Sequence, residues 1–388
     1  MVLFFDVNSI NVIITKIGNS LISAGDGGII LIWTRQQETS FAESNILDDD
    51  EEDACESNDY KQSWSVAKMF RTSDTQDIYD IDCSPCGRFV IVGLTDNSAQ
   101  VWDVWNGKQV KVLKDHKHFV QGVAWDPLGQ YIATQSCDRT VKIWNCVLKR
   151  SSASKVNLKF SPHGKFSKSG SLFQDESCVS FFRRLKFSPD GGLLVMPVGL
   201  APDGTCAVHV AYRSELNHAT PRYTIGGFEK PVIAIRFANH FYEKCSEDTR
   251  MVDRPYRMLL AVLTQDMVFV FDTEHKEPLW CVSGLHYGTL TDVAWSPSGD
   301  SLIVTSTDGF CSLLTFEHGD LMSGKVEDRE SVMSMARLDA GLSSALNSNQ
   351  HENNIENTSV PSSEPDPVQK PIAVNQLIPK KRSLLSME

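Results

Sequence analysis

HKHFVQGVAWDPLGQYIATQSCDRTVKIW, residues 116–144, decides the fold. It divides into three short alternating runs, Val120–Trp125, Tyr131–Thr134 and Thr140–Trp144, each of which reads as a β-strand. Between the first two stands Asp126-Pro127-Leu128-Gly129, in which proline presets φ and glycine takes a backbone conformation that bulkier residues avoid. The segment is a hairpin turn.

The turn phrase recurs as Ser84-Pro85-Cys86-Gly87, Ser188-Pro189-Asp190-Gly191 and Ser296-Pro297-Ser298-Gly299, each ahead of further strand-like runs. A repeat of about 40 residues with four strands per unit is the mark of a β-propeller, whose blades cannot bury both faces alone and stack radially. Six units are visible: Ile10–Trp33, Asp77–Asp103, His116–Trp144, Phe181–Tyr212, Pro231–Asp272 and His286–Phe316. The fold class is all-β.

These residues resemble the WD40 family. In its blades a His before the first strand, a Ser or Thr on the second, an Asp in the next tight turn and a Trp on the third form a buried hydrogen-bonded chain. His116, Ser136, Asp138 and Trp144 fit all four positions, and His286, Ser306 and Asp308 repeat the first three at the same spacing, with Leu314 in place of Trp. A His, Ser and Asp together also suggest a hydrolase, but that chemistry needs a nucleophile, a base and an oxyanion site facing a cleft. The set is read as architectural, with no catalytic residue, cofactor or metal expected. Cys83-Ser84-Pro85-Cys86 has the form of a metal pair but falls on a hairpin turn and has no second pair at zinc-ligand spacing.

The totals agree. An acid excess, 49 Asp+Glu against 37 Lys+Arg, disfavours broad phosphate-backbone binding and suits a basic partner. The 10 cysteines lack the compact spacing of a secreted disulfide scaffold, which fits a reducing compartment. The apolar start Met1–Phe5 is ended by Asp6, short of a signal-peptide core or membrane span. A soluble intracellular protein without membrane contact is expected. A propeller is expected over 1–318, interrupted by an acidic loop at 36–60 and a linker at 146–179. From 319 to 388 Ser, Asn, Glu and Pro dominate, and that tail reads as disordered because it lacks the apolar density to offset ordering entropy.

Three stretches are more individual: Lys117–Tyr131; Phe173–Ser177 with Ser180–Leu185; and Arg254–Arg257 through Val268–Thr273 to His286–Leu290 and Ser306–Ser312. Together they resemble the family of middle-sized WD-repeat subunits of chromatin assembly factor 1, related to the HIR/HIRA histone regulators, from Ile10 to Phe316 in order. The resemblance implies a nuclear, non-enzymatic scaffold joining a large subunit and a second, histone-binding WD-repeat subunit. Such a complex deposits histones H3 and H4 onto DNA in replication and repair, without sequence-specific nucleic-acid binding. Family members carry seven blades and begin with a whole blade before the unit matching Ile10–Trp33, which this chain does not show. Either Met1–Phe5 supplies a closing strand to a six-bladed ring, or a first blade is missing.

Three patches are candidate partner sites. Asp48-Asp49-Asp50-Glu51-Glu52-Asp53 either screens basic histone tails or is a solvated insertion. Phe181-Phe182-Arg183-Arg184 is either a blade edge with buried rings or a docking patch for the large subunit, aromatics and Arg being enriched at interface hot spots. In the tail, Lys380-Lys381-Arg382-Ser383-Leu384-Leu385 resembles the family's motif for the anti-silencing-function histone chaperone; nuclear import and a plain solvated tail compete with that reading. Two alternatives to the chromatin assembly factor role stand: a HIRA-type chaperone subunit, and a substrate receptor of a cullin ubiquitin ligase. The latter's Trp-Asp-x-Arg ending is absent, since Trp102-Asp103 is followed by Val104-Trp105.

Overall fold

In the hairpin turns the sequence signal becomes backbone geometry. Gly87, Gly129, Gly191 and Gly299 all have φ between +70° and +79°. Their amides donate to the carbonyls of Ser84, Asp126, Ser188 and Ser296 at 2.8–3.0 Å, so each phrase closes on itself and turns the chain back.

The structure is a computed structural model that describes residues 11–14, 20–35, 64–72, 76–150, 156–167, 172–178, 180–244, 254–316, 324–326 and 328–341. Six antiparallel sheets follow one another as blades of a β-propeller. Blade 1 holds Asn11–Ile14, Ser20–Ala24, Ile29–Arg35 and Trp64–Arg71, and blade 2 holds Ile78–Cys83, Phe89–Leu94, Ser98–Asp103 and Lys108–Lys114. Blade 3 is Val120–Trp125, Tyr131–Ser136, Thr140–Arg150 and Val156–Phe166; blade 4 is Lys186–Phe187, Leu193–Leu200, Cys206–Tyr212 and Tyr223–Phe228. Blade 5 is Val232–Tyr242, Arg257–Thr264, Met267–Asp272 and Trp280–Ser283, and blade 6 shows Leu290–Trp295, Ser301–Ser306 and Cys311–Thr315. The innermost strand of each blade packs against that of the next. Apolar cores lie between neighbours: Ile22 and Ile30 of blade 1 meet Ile81 and Val92 of blade 2, while Phe89 and Val101 of blade 2 meet Val123 and Ile132 of blade 3. Met1–Phe5, considered as a closing strand, lies outside the described residues. Among the described residues no helix is long and apolar enough to cross a membrane.

Two segments differ from expectation. Much of the stretch read as a linker at 146–179 is strand, because Thr140–Arg150 and Val156–Phe166 form one long hairpin. There Ser161-Pro162-His163-Gly164 is a bulge rather than a turn: Ile143 pairs with Gly164 and Trp144 with Pro162, leaving His163 as the extra residue. Proline is tolerated because this is an edge strand. The second segment is in the expected disordered tail. Lys325–Val326 pairs with Phe241 and Tyr242, and a helix runs over Arg329–Asp339. Asp328 caps that helix by accepting from the Ser331 amide at 3.0 Å. Val332, Met333 and Ala336 share its buried face, and Arg254 pairs with Asp339 at 2.7 Å.

Charged side chains fill the axis. Asp80 and Asp82, two apart on one strand and so on one face, accept from the amides of Val123 and Trp125 on blade 3, both at 2.8 Å. Lys186 reaches Asp82 at 2.8 Å, and Asp292 of blade 6 takes Arg184 at 2.5 Å and Arg236 at 3.0 Å. Burial pushes the Asp80 carboxyl up to about 6, against the pull of Arg184 and the Val123 amide. Burial works the same way on Asp292, but the guanidiniums of Arg184 and Arg236 hold it below its ordinary value. Since folded Asp80 retains a proton that unfolded Asp80 releases, its titration lowers stability as pH rises from 3.8 to about 6. Asp80→Asn is therefore expected to gain stability relative to the parent across that window. Urea denaturation at several pH values checks this, and parallel curves for the two proteins refute it.

Candidate partner-docking surfaces

In blade 3 the polar chain is built around Thr134. The Trp144 indole N–H donates to Thr134 Oγ1 at 3.2 Å, Thr134 Oγ1 meets His116 Nε2 at 2.8 Å, and His116 Nδ1 lies 2.9 Å from Asp138 Oδ2. Ser136, given that place from the sequence, does a different job: its hydroxyl donates to the His118 carbonyl and accepts the Asp138 amide. Strand register shifts between Gln135 and Ser136, which places Ser136 in the turn. Burial opposes ionisation of Asp138. The hydrogen bond and charge of His116, with Thr140 and the Lys117 amide, outweigh it and hold the carboxyl well below the usual range.

Blade 6 repeats the His286–Asp308 contact at 3.1 Å, with Ser312 Oγ at 3.0 Å from the other ring nitrogen and Ser306 Oγ accepting the Asp308 amide. These imidazoles spend both nitrogens on neighbours within the blade. The arrangement fixes strands and leaves nothing aimed at a substrate.

Recognition surface lies where the innermost strands begin. Tyr79, Phe119 and Phe181 start or precede the first strands of blades 2, 3 and 4, so topology brings them to one face. Tyr79 lies 6.2 Å from Phe119 and 6.5 Å from Phe181 between ring centroids. With His118, Cys137, Glu176 and Ser180 they surround a cavity of about 210 Å³. The candidate patch Phe181-Phe182-Arg183-Arg184 is divided by this geometry. Phe181 is 69% exposed, whereas Arg183 is buried and donates to Gln121 Oε1 and to the carbonyls of Gln174 and Asp175. Arg184 is also buried, its guanidinium stacked 4.1 Å from the Phe182 ring and turned to the axis. The cause is the path of the chain: Arg183 N donates to Gln121 O of blade 3 and Arg184 N to Ile233 O of blade 5, so the segment threads between two innermost strands.

Tyr79 and Phe119 escaped the sequence reading because each sits in an alternating run that looks like core. The available signal was their position ahead of or at the start of an innermost strand. Cys137 Sγ lies 3.0 Å from His118 Nδ1, and His118 Nε2 2.6 Å from Glu176, a line that resembles a nucleophile with its base. Burial pushes the Cys137 thiol up, so its proton stays on sulfur and the line orients the ring. Asp48–Asp53 and Lys380–Leu385 lie outside the described residues.

A ring of antiparallel blades, locked by internal polar chains and exposing aromatic side chains at one mouth, defines a WD-repeat propeller of the scaffold type. A match to the CAF1B/HIR1 beta-propeller domain covers residues 5–321, and the chain belongs to that family. It is 37% identical to the CAF1B protein of chromatin assembly factor 1 from Mus musculus over 319 residues, 78% of this chain and 54% of that protein. It is 34% identical to the corresponding chromatin assembly factor 1 protein of Saccharomyces cerevisiae over 360 residues, 86% of this chain and 76% of the relative. Protein HIR1 of Yarrowia lipolytica is 25% identical over 331 residues, 78% of this chain and 29% of that protein. The chain thus spans about half the length of the vertebrate relatives it matches.

Proposed function

We propose that the chain is the WD-repeat scaffold subunit of a chromatin assembly factor 1 complex acting in the nucleus. In this reading it is a non-enzymatic part of a histone chaperone that deposits H3 and H4 onto DNA during replication and repair. The observation that carries it is the pairing of internally satisfied His and Asp side chains with an exposed aromatic mouth at Tyr79, Phe119 and Phe181, a surface suited to holding a partner. The names of relatives at 34–37% identity supply the class of complex. The large subunit would dock at Phe181, a second WD-repeat subunit would complete the complex, and Asp48–Asp53 would shield basic histone tails. Lys380, Lys381, Arg382, Leu384 and Leu385 would engage the anti-silencing-function chaperone or an import receptor.

Purifying the tagged chain from nuclei tests this reading: the expected companions are a large subunit, a histone-binding WD-repeat protein and H3–H4. Because the family also includes HIR1, a HIRA-type complex is the second reading, and the identity of the large subunit decides between them. Recovery of a cullin adaptor in place of histones refutes both. Phe181→Ala is expected to weaken the hold on the large subunit by about 2 kcal/mol, roughly thirtyfold, with an unchanged melting temperature because the ring is mostly exposed. Titration calorimetry reads the first and a thermal melt the second.

A further inference from the structure

The outermost strands of blades 1, 2 and 3, Trp64–Arg71, Lys108–Lys114 and Val156–Phe166, contain no aspartate or glutamate. Lys68 and Arg71 on the first, Lys108, Lys111 and Lys114 on the second, and Lys159 and Lys165 on the third are all exposed. Among the described residues none of these cations forms an ion pair. In a chain of net charge −12 this is a marked segregation of charge. Lysines do guard free sheet edges against unwanted pairing. That role does not explain the pattern, because the equally outermost Tyr223–Phe228 and Trp280–Ser283 carry no cation.

The three strands form a continuous belt. Lys68 Nζ donates to the Trp105 carbonyl of blade 2 at 2.7 Å, and Phe70 stacks on Trp102. Leu113 of blade 2 belongs to the core against which Leu158 and Phe160 of blade 3 pack. Large apolar side chains stand exposed among the cations: Val66 and Met69 on blade 1, Trp105 and Val110 on blade 2, Val147 and Leu148 on blade 3, with Met69 66% and Trp105 59% exposed. Cations alone would suit any polyanion. Apolar groups interleaved with them gain only from a partner that brings apolar groups of its own.

We infer that this belt docks an acidic polypeptide segment with apolar residues interleaved, supplied by another chain. Its carboxylates face Lys108, Lys111 and Lys114 while its apolar side chains cover Met69, Trp105 and Val110. The site is remote in sequence from the aromatic mouth and holds whichever complex the chain serves. The probes are a labelled synthetic peptide of Glu with Leu at every third or fourth position, polyglutamate of equal length, and a short DNA duplex, each titrated with the full chain by fluorescence anisotropy. The Glu/Leu peptide is expected to bind more than about tenfold tighter than polyglutamate or duplex, and to weaken with salt. Lys108→Glu with Lys111→Glu and Lys114→Glu is expected to remove that binding by more than about tenfold. All three side chains are exposed, and a thermal melt confirms folding. Should the triple variant not fold, Lys111→Glu alone and the salt dependence of the parent give the same reading. Equal or tighter binding of duplex makes this a phosphate site, and self-association lost in the triple variant makes the occupant a second copy. Either result overturns the inference, as does peptide binding indifferent to salt and to charge reversal.

Discussion

Asp126→Ala is expected to lower the stability of the propeller by about 3–5 kcal/mol, the cost of leaving a buried cation without its partner. The Asp126 side chain is fully buried, and both its oxygens receive Arg213, at 2.9 and 2.7 Å. The same oxygens also accept from the amides of Leu128 and Gln130, each at 3.0 Å. One carboxylate thus closes the blade 3 turn and fastens the end of blade 4's third strand to it. Removing it strands the guanidinium of Arg213 between the Gly191 carbonyl, Gln130 and the Tyr131 ring. Urea denaturation reads the loss as a lower midpoint. The pair can be separated from the turn: Arg213→Met keeps the turn's hydrogen bonds, so it should cost less than Asp126→Ala. The double variant should cost less than the sum of the two. A change below about 1 kcal/mol for Asp126→Ala would show that the latch is dispensable.

The latch is repeated one blade on. Asp190, in the corresponding turn of blade 4, accepts from the Tyr256 hydroxyl of blade 5 at 2.8 Å and lies 3.7 Å from Arg254. Arg254 in turn grips Asp339 at the end of the helix that follows blade 6. A series of turn carboxylates therefore ties blade 3 to blade 4, blade 4 to blade 5, and blade 5 to the returning chain. Each tie is made by the first or third residue of a phrase that the sequence marks only as a turn.

That difference shows what the sequence makes legible. Turn phrases and strand alternation are local signals, and they place the blades, since each turn closes on hydrogen bonds within four residues. Identity within the polar chain is less local. Thr134 and Ser136 are hydroxyl residues two apart, so alternation offers both to the same face, and only the bulge at Ser136 withdraws it. Arg183 and Phe181 are likewise two apart. One is buried and the other exposed because two distant strands flank the first, a fact that no window of sequence contains. The helix at Arg329–Asp339 was hidden by averaging: its neighbours are polar, and three apolar positions at helical spacing suffice once blade 5 offers Phe241, Tyr256 and Met258 as a floor. The exposed belt has no periodic signature at all, because its cations come from strands separated by whole blades.

Asp138→Ala tests the polar chain itself and is expected to cost about 2–4 kcal/mol at neutral pH, since it leaves several buried donors without an acceptor. The chain fixes the protons: Trp144 N–H donates to Thr134, whose hydroxyl donates to His116 Nε2, so His116 Nδ1 carries the hydrogen given to Asp138. Without Asp138, that N–H, the amides of Lys117 and Thr140, and the Thr140 hydroxyl all lose their acceptor. The effect should depend on pH in one direction only. Because the folded carboxyl is held below its ordinary value, its stabilisation is fully present above about pH 4 and fades as pH falls through the folded pKa. The gap between parent and variant should therefore be flat from about pH 5 upward and narrow in acid. In blade 6 the same substitution at Asp308 should cost less, because Leu314 stands where blade 3 has its Trp and the chain there ends at Ser312. A gap that widens in acid, or an Asp308 variant hurt more than the Asp138 variant, would mean that the blades are held mainly by their apolar faces. The imidazole chains would then be passengers.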